Sequence, residues 1–190
     1  MICNTFINKL RTKYINHINI SNYIIERLLY KNINKAFGYN GGAALPLFDA
    51  ISKSNKFEMI FNRHEQSSGH CAEAYSKITN NIGTVITTSG PGFTNVITPL
   101  QDAYSDSIPL LCISCQVSSK VLGTHAFQES NTIGISKACV KWNYLMKKQR
   151  TKLLIILKNL KQIMLMNMKL DLERWSLKSF NLIYPLFFTN

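Results

Sequence analysis

The chain has 190 residues, 46% of them hydrophobic and 17% charged, with no run of 18 apolar residues; this describes one globular core and excludes both a disordered segment and a transmembrane helix. Its formal charge of +12 is carried by the ends: residues 1–35 hold +5, residues 36–146 hold zero and residues 147–190 hold +7. A nucleic-acid-binding fold needs a basic face inside the domain, interleaved with aromatics, so neither nucleic acid nor a membrane is expected as a partner.

Residues 1–20 contain three Lys/Arg and no acid. Acid-poor basic leaders include organelle transit peptides, although this one lacks the usual Ser and Ala. The expected compartment is the cytoplasm, or a mitochondrion or plastid if residues 1–20 are a transit peptide. From residue 21 the pattern becomes regular. SNYIIERLLYKN (21–32) has helical spacing at Ile24 and Leu28. KAFGYNGG (35–42) predicts a short strand ending in a glycine turn, and AALPLFDAISKS (43–54) a helix. FEMIFN (57–62) predicts a strand, followed by a helix over 64–79. GTVITTSGPG (83–92) is a β-branched strand with a Gly-Pro stop, TNVITPLQDAYSD (94–106) a helix, and IPLLCISCQV (108–117) a buried strand. Helix and strand alternate, which predicts an α/β fold with a mostly parallel sheet flanked by helices. Ligands of such sheets sit beyond the carboxyl ends of the strands. Gly41-Gly42, Glu65 and Ser89-Gly90-Pro91-Gly92 all fall at such ends.

The character of the chain changes near residue 149. All nine glycines lie between Gly38 and Gly134. Residues 151–175 are rich in Leu, Ile, Met, Lys and Asn and could be helical. The organisation expected is a leader at 1–20, a domain at 21–148 and an atypical basic tail at 149–190. That tail offers no evident closing strand, which would leave a sheet edge exposed.

Single motifs are weak. HEQSSGH places His70 six residues after His64, not four, so the two rings fall on different helical faces and no zinc-protease pattern exists. No metal site is expected. Cys112 and Cys115 form C-x-x-C inside an apolar run, where core cysteines are the better reading than a redox pair. Five cysteines and no secretory signal suit a reducing compartment. SGPGFTN has Asn95 where a dinucleotide fingerprint needs glycine, and no Gly-Lys-Ser/Thr occurs. Glu65 alone is either a helix cap or a working acid.

Taken in order, FGYNGGAALPLFDAI, RHEQSSGHCAEAY, TTSGPGFTNVITPLQDAYSDSIPLL and GTHAFQE resemble the N-terminal pyrimidine-binding domain of thiamine diphosphate-dependent enzymes. GT-x-AFQE and the KWN segment at 141–143 are most similar to the acetolactate synthase large subunit. The resemblance covers about residues 21–148. SGPG-x-TN alone would also fit pyruvate oxidase or glyoxylate carboligase relatives. The resemblance implies that Glu65 hydrogen-bonds the pyrimidine ring of thiamine diphosphate, promoting the imino form that takes the thiazolium proton. Pyruvate is then decarboxylated and its two-carbon fragment joined to a second 2-keto acid, in branched-chain amino acid synthesis. It implies that Gln128 reaches the reaction centre with Phe127 on the substrate side. Pro91, Gly92 and Asn95 would form the turn against the pyrimidine, and Gly41 and Gly42 the glycine turn bordering the site. Ser107 would lie near a flavin and Lys141 at the substrate entrance; for these two and the Gly41-Gly42 turn an ordinary structural reading stays equally open.

Four positions depart from the family: Asn40 for proline, Ser67-Ser68 for a glycine-containing pair, Phe93 for alanine and His125 for aspartate. Phe93 would put a large ring beside the pyrimidine turn and crowd the cofactor. The family's Gly-Asp-Gly signature for diphosphate and magnesium occurs nowhere in this sequence. Mg2+ and FAD are therefore expected only through other domains. The expected partners are pyruvate, a second 2-keto acid, and a homo-oligomer or a chain carrying the diphosphate-binding domain. The abrupt shift near residue 149 predicts a truncated or frameshifted acetolactate synthase, inactive alone; a non-catalytic subunit-interaction module is the alternative.

Overall fold

The computed structural model describes residues 19–146 and the backbone of residues 183–189. Helix α1 (Ile20–Tyr30) is capped by Asn19, whose side chain accepts from the Ser21 N–H at 3.0 Å. It buries Ile24, Ile25 and Leu28, the helical stripe read from the sequence. Strand β1 (Lys35–Gly38), a 3-10 turn (Gly42–Ala44) and α2 (Leu45–Ser52) follow. Next come β2 (Glu58–Phe61), α3 (Glu65–Thr79) and β3 (Gly83–Thr87). The chain continues through α4 (Pro91–Thr94), α5 (Ile97–Asp106) and β4 (Leu110–Gln116). A long loop leads to α6 (Thr132–Ser136), β5 (Tyr144–Met146) and β6 (Ile183–Thr189).

The strand order is β2-β1-β3-β4-β6-β5, and every pairing is parallel. All of β3 and β4 is buried, as strands covered on both faces must be. Successive side chains then enter different cores. Ile86, Leu111 and Ile113 join α1 and α2 on one face, while Val85, Leu110 and Cys112 pack with Ala72, Leu100 and Ala103 from α3 and α5 on the other.

The missing closing strand is a correction. β6 forms within the tail, between β4 and β5, so β4 is not an open edge. Its Ile-Tyr-Pro-Leu-Phe-Phe-Thr run favours strand through its β-branched and aromatic residues. Pro185, opposite Cys112, donates no ladder bond there. The short elements α4, α6 and β5 were also not read from the sequence; they are too brief to show a period. The leader at 1–20 and the helical expectation for 151–175 lie almost wholly outside the described residues. Among those residues, no helix is long and apolar enough to cross a membrane.

Candidate active site

The parallel sheet sends its strand-to-helix turns to one edge, where the predicted strand-end residues gather. β2 hands over to α3 through His64, whose extended backbone makes it the N-cap; its Nδ1 accepts from the Gln66 N–H at 3.1 Å. Glu65 is therefore not the cap. It is the first helical residue, only 8% exposed. Its Oε2 accepts a hydrogen bond of 2.9 Å from Asn95 Nδ2. Asn95 follows α4, in the turn after β3, so two strand ends converge on one carboxylate.

Glycine lets Thr88 pack closely beside that carboxylate. A Cβ on residue 92 would stand 3.3 Å from Glu65 Oε1 and 2.6 Å from the Thr88 methyl. A Cβ on residue 41 would stand 2.6 Å from the Thr88 hydroxyl. Thr88 thus lies between both glycines, and its buried Oγ1 has no hydrogen-bond partner among the described residues. The sequence reading missed Thr88; one threonine ending a β-branched strand carries no signal of its own. Gly42 needs no such space, since a side chain there would meet nothing within 4 Å. Pro91 opens α4 and is exposed.

The loop after β4 closes the group. Gly90 has φ +57, and its Cα abuts the backbone of Gln128, where a Cβ would come within 2.6 Å of the carbonyl oxygen. Gln128 itself has φ 59. The loop is folded by Glu129, whose carboxylate accepts from the Gly123 and Ala126 N–H groups. The Gly123 hydrogen bond, chiefly, holds this carboxyl below the usual range. Phe127 stands 88% exposed. Beside this loop lies an open cavity of about 480 Å³, lined by Gln116, His125, Glu129 and Thr132 among others. It does not include Glu65.

The remaining sequence-marked residues are spread more widely. Phe93 does not crowd the turn: it is 0% exposed and packs in the core with Val85, Val96 and Leu100. Ser107 ends α5 at φ 66, on the amino-terminal side of β4, and Lys141 precedes β5 on its amino-terminal side. Neither stands with the cluster at the carboxyl edge. The buried unpartnered hydroxyl of Thr88, close to the Glu65 carboxylate, fits a polar group that hydrogen-bonds there.

The pattern for "Thiamine pyrophosphate enzyme, N-terminal TPP binding domain" matches residues 18–135. The chain belongs to the thiamine pyrophosphate enzyme family. It is 52% identical over 122 residues to the mitochondrial acetolactate synthase of Schizosaccharomyces pombe, covering 64% of this chain and 18% of that protein. Against the mitochondrial acetolactate synthase catalytic subunit of Saccharomyces cerevisiae it is 47% identical over 122 residues, 64% of this chain and 18% of that protein. With the acetolactate synthase large subunit of Buchnera aphidicola from Schizaphis graminum it shares 46% over 125 residues, 66% of this chain and 22% of that protein. The match thus spans about a fifth of each relative's length. The family match covers Glu65, Gly92 and Asn95.

Proposed function

We propose that this chain supplies the pyrimidine-binding half of an acetolactate synthase active site. The observation that carries this reading is the buried Glu65, held through Oε2 by Asn95 while Oε1 lies beside the side-chain-free Gly92. Bound thiamine diphosphate would supply a carbon nucleophile that adds to pyruvate and passes the two-carbon fragment to a second 2-keto acid. Glu65 would hold and return a proton at Oε1, the oxygen that Asn95 leaves open. Asn95 would fix the carboxylate plane. Burial keeps water from competing for that oxygen, which strengthens its hydrogen bond to a ring nitrogen. Thr88, Gly41 and Gly92 would form the wall against the ring, with Gln128 and Phe127 presented toward substrate by the Glu129 loop. Diphosphate, Mg2+ and FAD would be held by other parts of a completed assembly, either a homo-oligomer or a chain bearing the diphosphate-binding domain.

The test combines this chain with a diphosphate-binding partner, thiamine diphosphate, Mg2+ and pyruvate. Glu65→Gln should lower kcat by about a hundredfold or more, the usual scale for a general acid–base group. Unchanged turnover would refute the reading and favour a non-catalytic interaction module.

A further inference from the structure

Away from the candidate active site, α3 and α5 approach closely because Gly69 has no side chain: a Cβ there would overlap Pro99. The next residue along α3, His70, then faces Asp102, one turn beyond Pro99 on α5. His70 Nδ1 lies 3.2 Å from Glu73 Oε2 and 3.7 Å from Asp102 Oδ2. One ligand atom from each of the three lies within 4.8 Å of the others. We propose that His70, Glu73 and Asp102 form a zinc-binding site joining α3 to α5. This proposal is independent of the thiamine reading.

Three observations carry it. Tetrahedral zinc with bonds of about 2.0–2.1 Å places its donors about 3.3 Å apart; His70–Glu73 at 3.2 Å meets that value, and His70–Asp102 at 3.7 Å and the remaining pair, within 4.8 Å, would close on binding. Secondly, the acceptors outnumber the hydrogens. An imidazole Nδ1 carries at most one hydrogen, which Glu73 takes at 3.2 Å, leaving Asp102 at 3.7 Å beyond hydrogen-bond reach. A cation between them would serve both carboxylates. Thirdly, the charges leave a deficit. The Glu73 side chain is only 4% exposed, and its other oxygen is 2.9 Å from Lys77 Nζ. Lys77 is equally 2.9 Å from Asp106. Three carboxylates thus share one lysine cation and one imidazole, and a divalent cation would neutralise the excess.

The surroundings fit the ligand set. Lys77 occupies Glu73 Oε1 and leaves Oε2 for the metal, as an outer partner that orients a ligating carboxylate. Imidazole with carboxylate suits zinc. The side chains of His70 and Asp102 are 40% and 52% exposed, which leaves a water the fourth position. His70 is five residues past Glu65, about 7.5 Å along the helix axis. The metal would therefore not touch the candidate acid. It would tie the helix that begins at Glu65 to the helix that follows Asn95.

The experiment titrates ZnCl2 into the purified, chelator-stripped full chain by calorimetry and follows the melting temperature. One equivalent should bind and raise Tm. His70→Gln should abolish binding, Asp102→Asn should weaken it at least tenfold, and Lys77→Met should weaken it by about ten- to a hundredfold. Cys71 adjoins His70 and is free and half-buried, so Cys71→Ser is the control and should change nothing. Circular dichroism checks that each variant is folded. Absence of stoichiometric binding overturns the proposal and leaves a plain ion-pair network. So does binding that survives both His70→Gln and Asp102→Asn, or that Cys71→Ser removes.

Discussion

Glu65 and Asn95 stand 30 residues apart in sequence and 2.9 Å apart in space. Removing the amide should hurt twice. Asn95→Ala leaves Oε2 of a buried carboxylate without its donor, which costs about 1–3 kcal/mol of stability, measurable by urea unfolding. It should also lower turnover in the completed assembly, because the carboxylate plane is no longer fixed. Stability equal to that of the parent would show that the hydrogen bond contributes nothing. Gly92→Ala tests the close packing beside this carboxylate instead. Its methyl would press on Thr88 and Glu65 together, and crowding of this kind costs about 1–3 kcal/mol. Binding of the free aminopyrimidine, followed by NMR, should be lost in Gly92→Ala and kept in Gly42→Ala, where nothing stands in the way.

At the scale of elements, the loop carrying Phe127 and Gln128 depends on one carboxylate. Glu129 accepts from the Gly123 and Ala126 N–H groups, and the first of these chiefly depresses its pKa. A depressed folded pKa means that the stabilisation is present above the unfolded value of about 4.3 and is lost as pH falls through the folded value. The amide shifts of Gly123 and Ala126 should therefore titrate together, with a midpoint below about 4.3. Glu129→Gln should abolish that titration. A midpoint at or above the ordinary value would remove Glu129 as the loop's clasp. The sequence offered AFQE as a motif, but not that its glutamate folds the loop presenting the two residues before it. Six residues separate Gly123 from Glu129, and no period or propensity marks such a clasp.

At the scale of the whole molecule, the sheet decides what the cysteines can do. Cys112 and Cys115 are three residues apart, so alternation sends them to opposite cores. Burial pushes both thiols up, that of Cys115 to about 12. Brief alkylation of the native chain at pH 8 should modify the half-buried Cys71 and spare Cys112 and Cys115. Early labelling of either strand cysteine would contradict the sheet. A raised folded pKa also sets the sign with pH. Stability contributed by these neutral thiols is complete below the unfolded value of about 8.5 and declines as pH rises toward the folded value near 12 for Cys115. Urea midpoints should therefore fall between about pH 8.5 and pH 11, and less so in Cys115→Ala measured against its own neutral-pH midpoint.

The sequence by itself determined the alternation of helix and strand, the parallel class and the placing of Gly41, Glu65 and Gly92 at strand ends. Those features depend on local periodicity and turn chemistry, which neighbouring residues carry. Only the tertiary structure decided which groups meet. It joined Asn95 to Glu65, set Thr88 between two glycines, turned Phe93 into the core and left Ser107 and Lys141 at the other side of the sheet. It also brought His70 against Asp102 through the gap at Gly69. Contacts of this kind depend on how strands register and how closely helices pack. Those distances are set by the whole sheet, and no single segment encodes them.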